Sequence, residues 1–245
     1  ETQFVGANPS RAAQIKYHLN RRHTFGKMTL EIQDENGKTV SKLAPGKSKG
    51  INIVNWSYRL KNPKVAKGKT FSYGGFTSPI ALAGMYTVIL KKGKETFTQK
   101  IEIIYDPTSN LSKEDRTFKH NTTMKMFGMT EELAYMVYEL DAILLKATEL
   151  RMKKIVAKLT ALKETLVITT GDNYVGSAAA QLREKMTDLY SKIATSYDTP
   201  SNAELESLGI IEERFVAAKK DYAKIKNKVK FLEALKLETF EEFVK

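Results

Sequence analysis

The chain has 245 residues, of which 42% are hydrophobic and 28% charged, the composition of an ordinary globular protein with one large domain or two smaller ones. The absence of Cys excludes disulfides and thiolate metal sites, and no segment approaches the roughly 18 consecutive apolar residues that a membrane span needs. The net charge of +12 lies almost wholly in residues 1–106, which hold 18 Lys and Arg against 7 Asp and Glu. Such a basic surface attracts nucleic acid, anionic lipid or acidic glycan, and it is equally typical of a well-solvated lysine-rich surface.

The first predicted elements are an irregular lead-in, a strand and a β-hairpin. Residues 1–12 carry no initiating Met, basic start or apolar core, so we expect a trimmed piece of a longer protein whose export signal is not in this piece. Apolar residues then alternate with polar ones over Ile15–Leu19, the pattern of a strand. The segment Lys27–Leu43 has the same alternation on both sides of Asn36-Gly37, a pair that accepts the positive φ values of a tight turn. This segment therefore predicts a β-hairpin.

Three more strands are predicted downstream, around residues 51–56, 85–90 and 97–103, with breaker-rich connections between them. The single tryptophan, Trp56, lies in the first of these strands, where we expect it in the core. Six or seven short strands over residues 13–105 predict an antiparallel β-sandwich. Asp106-Pro107 marks the predicted end of this sandwich.

The segment Lys61–Pro79 is the least regular part of this half and carries the candidate site. It places basic residues beside aromatic ones, a combination that binds a base, a sugar ring or an acidic partner. The predicted partner-binding residues are Lys61, Lys64, Lys67, Lys69, Phe71, Tyr73 and Phe76. The alternative interpretation is a surface loop whose aromatic side chains pack back onto the sheet.

The second half is predicted to be helical. Ser112 with Asp115, and Ser201 with Glu204, have the spacing of helix N-caps. Apolar residues recur every three or four positions over 133–147, 155–166, 182–197 and 208–232, with a break at 169–173, and an apolar tail covers 237–244. The expected fold is therefore α+β in two domains. Residues 1–106 form an immunoglobulin-like antiparallel sandwich, and residues 107–245 form an antiparallel bundle of three or four long helices.

No constellation in the sequence predicts catalysis, a cofactor or a metal. The three histidines, His18, His23 and His120, lack the spacing of a zinc motif. Asp34-Glu35-Asn36 begins like a calcium loop, but Lys38 falls where a further oxygen ligand is needed. Adjacent glutamate pairs on the predicted helices point in different directions as solvated charges. We therefore expect a chain that is not an enzyme.

Several segments in combination resemble the FlgD-type immunoglobulin-like fold. They are residues 15–19 as the first strand, 32–40 as the D-x-x-G hairpin, 50–56 as the G…W strand and 83–88 as the Gly-x-Tyr-Thr-Val strand. Ala83-Gly84-Met85 replaces the usual Pro-Gly-Thr. The whole chain, including the entry to the last long helix at residues 198–201, resembles the C-terminal region of bacterial sortilin-like, BNR-repeat β-propeller proteins, which are often labelled glycosyl-hydrolase-like.

This resemblance implies an exported protein of a Bacteroidetes-type bacterium that is periplasmic, outer-membrane-associated or secreted. Any hydrolase-like site would lie in a propeller upstream. The chain would then be a non-catalytic module that braces the propeller or docks it on a protein of the envelope or secretion apparatus. The alternative is an accessory region of a glycan- or peptide-acting hydrolase, whose basic loop recruits acidic substrate such as an acidic glycan. Nucleic-acid binding is a third interpretation, against which export in the related family argues.

Overall fold

The computed structural model describes residues 12–171 and 178–245, and over these residues the fold is α+β. The described chain divides into two compact units. The first unit holds the residues up to Lys61 together with Ile80–Asn110, and the second holds Asn62–Pro79 together with Leu111–Lys245. The division expected from the sequence, at residue 106, differs in two places: residues 62–79 belong to the helical unit, and residues 107–110 belong to the first unit. The predicted lead-in lies outside the described residues except for Ala12, as do residues 172 and 173 of the predicted break.

The first unit consists of antiparallel strands. Two strands form one sheet, in which β1 pairs with β4, and four form the other in the order β3-β2-β5-β6. The strands are β1 (Ala13–Leu19), β2 (Met28–Gln33), β3 (Thr39–Leu43), β4 (Gly50–Trp56), β5 (Gly84–Lys92) and β6 (Glu95–Ile103). Each of the strands predicted from period-two alternation is present in the structure.

The predicted hairpin is confirmed as β2 and β3, but its turn has a different basis from the one expected. The Asp34 carboxylate accepts hydrogen bonds from the backbone N–H groups of Asn36 at 3.0 Å and Lys38 at 2.9 Å. Gly37 has a φ of +77°, whereas Asn36 is not among the residues with positive φ. The side chain of Asp34 therefore shapes the turn, and only one residue of the Asn-Gly pair needs glycine-like freedom.

Both sheets contribute to one hydrophobic core in the first unit. Its residues come from alternating positions of β2 and β5, together with Leu19 of β1 and Trp56 of β4. Trp56 is only 1% exposed, its indole Nε1 donates to the Arg59 carbonyl oxygen at 2.9 Å, and its ring meets Tyr86 edge-on at 5.2 Å. The predicted core role of the tryptophan is confirmed, since its polar nitrogen is satisfied while its ring is buried.

The second unit is built on helices whose apolar stripes share a core. They are α1 (Lys113–Glu149), α2 (Lys153–Leu166), α3 (Leu182–Thr195), α4 (Asn202–Lys226) and α5 (Phe240–Phe243). Helix α1 contacts α2 and α3, and α4 contacts the same two helices. Ser112 and Ser201 form complete capping boxes, as their spacing predicted. Among the described residues, no helix combines the length and apolar character needed to cross a membrane.

Two helix boundaries differ from the periodic pattern. Arg151 takes a φ of +55° and separates α1 from α2, although no glycine or proline marks the break. Helix α4 ends at Lys226, whereas its apolar stripe runs on to Leu232. Val229 is nevertheless buried, so residues beyond the helix still contribute to the core. The apolar tail packs back as expected, with the Phe243 ring stacked on Tyr138 at 5.0 Å.

Candidate functional site

The candidate site predicted from the sequence lies on a segment of the helical unit, residues 62–79, which we call the strap. Its only regular element is a 3-10 turn at Tyr73–Phe76, which contacts α3. Ala66 is buried in the helical core, so the strap contributes to that core directly. The strap is therefore part of the folded helical unit.

A buried arginine anchors the first half of the strap. Arg183 on α3 is 5% exposed, and its guanidinium donates to the Thr70 hydroxyl at 3.1 Å and to the Thr70 carbonyl oxygen at 2.9 Å. The Glu184 carboxylate accepts from both the guanidinium, at 2.7 Å, and the Thr70 hydroxyl, at 3.0 Å. At Gly68 an added Cβ would lie 2.5 Å from the guanidinium, so this position has little room for a side chain. Charged, buried bonds of this kind hold a backbone firmly.

A second set of contacts anchors the other half of the strap. The Tyr190 hydroxyl donates to the Thr77 carbonyl oxygen at 2.9 Å, and the hydroxyls of Thr77 and Ser191 are 3.3 Å apart. Between these anchors, Gly74 lies so near α3 that an added Cβ would be 2.7 Å from the Thr187 Cβ. Only glycine permits that approach without a shift of the backbone.

Three aromatic rings project from this anchored backbone and remain in contact with solvent. Phe71 stacks on Phe76 with ring centroids 5.2 Å apart, and Tyr73 meets Phe71 edge-on at 5.0 Å. Phe71, Tyr73 and Phe76 are 42%, 66% and 71% exposed. They are not part of the strand core, where the alternative interpretation placed them. We call these three rings the aromatic cluster.

The four predicted lysines divide among different environments. Lys67 and Lys69 are exposed on the strap and have no acidic partner among the described residues. Lys64 is occupied within the unit, because its ammonium donates to the Phe243 carbonyl oxygen and lies 4.8 Å from the Phe243 ring centroid. Lys61 belongs to the first unit. Six of the seven predicted residues therefore lie on the strap, and one of these six, Lys64, is engaged by Phe243.

One buried polar cluster outside the predicted site, centred on Glu139, holds two helices together. Glu139 is 7% exposed and accepts from the Tyr222 hydroxyl at 3.1 Å and from the Lys226 ammonium at 2.7 Å. Burial and the neighbouring Glu139 carboxylate raise the pKa of the Tyr222 phenol well above its ordinary value. This cluster joins α1 to α4. Within residues 12–171 and 178–245, no group of three acidic, histidine or cysteine side chains is arranged to hold a metal ion.

Sequence reasoning missed Arg183, the residue that anchors the strap. Nothing local marks it, because a single arginine in a helix is ordinarily a solvated charge. Its partner Thr70 is 113 positions away in the chain. Comparison of the chain with family models, curated proteins and solved structures found no match.

Proposed function

We propose that this chain is a non-catalytic interaction module from an exported propeller protein of the Bacteroidetes type. In this proposal the first unit is a FlgD-like immunoglobulin sandwich and the second is a helical bundle that presents the strap to a partner. Two antiparallel sheets that share one core support the first assignment. Four capped or amphipathic helices around one core support the second.

The observation that carries the docking role is an exposed aromatic cluster on a fixed backbone. Three large rings in one solvent-facing group are a costly surface for a protein that does not use it. Aromatic residues are enriched at the centres of protein interfaces, where they contribute most of the binding energy. Because the strap is already held by Arg183 and Tyr190, a partner would not need to order it on binding.

The expected partner is a protein of the envelope or secretion apparatus with an acidic surface. Lys67 and Lys69 are exposed on the strap and have no acidic partner among the described residues, so their charges are available to a partner of the strap. Such rim charges chiefly raise the association rate and select partners of opposite sign. If the acidic surface is on the upstream propeller itself, the chain braces the propeller instead of docking it on a separate protein.

The test uses the purified full chain to capture proteins from an envelope extract of the source bacterium. The captured protein is then purified and its Kd measured directly by interferometry. The F71S/F76S variant is expected to weaken this Kd by about tenfold or more, since hot-spot aromatics contribute about 2 kcal/mol or more. The K67E/K69E variant is expected to lower the association rate and to remove its dependence on salt.

Matched controls use exposed residues elsewhere in the same unit. I210S/V216S removes two exposed apolar side chains from α4, and K154E/K158E reverses two exposed charges on α2. Both are expected to bind the partner like the wild type. A strap variant that binds like the wild type, or an envelope extract that yields no specific partner, would contradict the docking role.

The second candidate function is recruitment of acidic glycan to a hydrolase site in the propeller, and it rests on the exposed Lys67 and Lys69 sharing the strap with three exposed aromatic rings. Binding of polygalacturonate to the full chain would then fall in K67E/K69E and survive in K154E/K158E. If both variants bind this polymer equally, the strap does not recruit it.

A further inference from the structure

The first unit contains an open groove that the sequence did not predict and that is separate from the strap. It measures about 900 Å³ and lies between the end of β1 with its following loop, residues 20–25, and the β5–β6 hairpin. Its volume is within the range of roughly 300–1,000 Å³ that small-ligand sites occupy. The lining residues on which the inference depends are Arg21, Arg22, His23, Phe25 and Phe97.

The walls of this groove are held by hydrogen bonds outside the strand ladders. The backbone N–H of His23 donates to the Lys47 carbonyl oxygen at 3.0 Å. The ring Nε2 of His23 is 3.2 Å from the Gly26 carbonyl oxygen, and Gly26 turns the chain with a φ of +91°. On the opposite side, the backbone N–H of Gly93 donates to the Lys27 carbonyl oxygen at 3.2 Å. These hydrogen bonds hold the backbone on both sides of the groove.

The charge of the groove is strongly positive. Its one acidic lining residue, Glu95, is paired with Lys92 at 2.7 Å, and this ammonium holds the pKa of the Glu95 carboxyl below its usual value. Arg21 and Arg22 have no ion-pair partner among the described residues. Two guanidinium groups without counter-charges match the planar oxygens of a carboxylate or the oxygens of a sulfate.

The apolar part of the groove supplies exposed aromatic faces. Phe25 is 87% exposed and Phe97 is 53% exposed, while the buried Leu90 also lines the groove. The face of such a phenyl ring packs against the C–H groups of a sugar ring, a contact stabilised by apolar burial and dispersion. The groove therefore combines anion recognition with ring stacking.

We propose that this groove binds an acidic sugar, a ring that carries a carboxylate or sulfate, presented on an oligosaccharide. Phosphate sites commonly use a helix N-terminus, but the described residues of the first unit form only strands and loops. Two guanidinium groups beside two exposed rings suit an acidic oligosaccharide, which carries anionic groups next to sugar-ring faces, and an oligonucleotide, whose phosphates fit the same guanidinium groups, is the competing ligand in the test. This inference does not rest on the docking role of the strap, because the groove lies in the other unit.

The experiment is isothermal titration of the full chain with oligogalacturonate, chondroitin sulfate hexasaccharide and neutral maltohexaose. The first carries carboxylates only and the second carries sulfates as well, so together they distinguish the two anions. R21Q/R22Q is expected to weaken binding of the acidic sugars by about tenfold or more, the loss expected for a charge-assisted bond. R21K/R22K is expected to recover part of this loss, because it keeps the charge without the bidentate fork. F25S/F97S is expected to weaken acidic-sugar binding while leaving binding of a polyglutamate peptide unchanged.

The controls separate this site from general charge and from the strap. K38Q/K49Q removes the same charge from exposed positions of the first unit outside the groove lining, and K67Q/K69Q removes it from the strap. Both should bind acidic sugar like the wild type. The proposal is overturned if maltohexaose binds equally well or if either control loses as much as R21Q/R22Q. It is also overturned if an oligonucleotide or polyglutamate binds more tightly, or if no saturable sugar binding is seen. Loss confined to K67Q/K69Q would instead support glycan recruitment by the strap.

Discussion

Replacing Arg183 by Met tests whether one buried guanidinium holds the strap on the helical unit. Methionine keeps most of the apolar volume of the arginine stem, so the change removes chiefly the charge and its bonds. Three interactions are lost, two with Thr70 and one with Glu184. We expect the helical unit to be destabilised and the strap to open more often than in the wild type.

The magnitude follows from the burial of the groups involved. The side chains of Arg183 and Glu184 are 6% and 13% exposed, so solvent screens their interaction little. Removing one partner of such a pair leaves the other charge buried and uncompensated, at a cost of about 3–5 kcal/mol. Part of the cost is offset because the Thr70 hydroxyl still donates to Glu184. We therefore expect a loss near the lower end of that range.

Two measurements check this expectation. Urea unfolding followed by circular dichroism gives the change in the free energy of unfolding. Limited trypsin digestion reports the opening of the strap, because Lys67 and Lys69 are exposed but lie on an anchored backbone. Cleavage after these lysines should quicken by about tenfold or more, since the opening free energy of the segment falls.

Lys192 to Met on the same helix is the matched control. Its side chain is 63% exposed and pairs with Asp188 one turn away, so its loss should change the free energy of unfolding by about 0.5 kcal/mol or less. If R183M unfolds like this control, the anchoring argument fails. It also fails if R183M is destabilised while trypsin cleaves the strap at the wild-type rate.

Three further predictions concern packing, a buried charge and a helix cap. G74A should destabilise the helical unit by about 1–3 kcal/mol, because the added Cβ would collide with α3. G128A should stabilise it by about 0.5–1 kcal/mol, because Gly128 lies in open space on α1 and alanine favours the helix. Urea unfolding measures both changes. E139Q should lower the free energy of unfolding by about 1–3 kcal/mol in the same assay, because it removes the carboxylate charge that the Lys226 ammonium contacts at 2.7 Å. An unchanged free energy of unfolding would contradict the role given to this pair. Hydrogen bonds from the capping residue Thr239 lower the pKa of Glu242 in the folded chain. The stability that this cap gives α5 should therefore be present above the unfolded pKa of about 4.3 and be lost as the pH falls through the folded value. An amide protection factor in α5, corrected for the intrinsic pH dependence of exchange, that stays constant on acidification would refute this.

The strands and helix starts follow from the sequence because their causes are local. Period-two alternation marked the hairpin, since a strand with one buried face must alternate. Serine followed by an acidic residue three positions later marked the starts of α1 and α4, since the capping box uses only neighbouring groups. The end of α1 was not predictable in this way, because Arg151 adopts its positive φ without any local glycine.

The site, in contrast, was decided by contacts that no local pattern encodes. The sequence identified the aromatic and basic residues of the strap, but it assigned them to the strand domain because they lie between strands in the chain. The structure packs the strap that carries them against α3, where Arg183 meets Thr70 across 113 positions. Such a pair has no periodicity, since the geometry that joins it exists only after both segments have folded. The sequence thus determined which side chains the strap carries. The tertiary structure decided that the strap belongs to the helical unit and that Lys64 contacts Phe243 instead of being available to a partner.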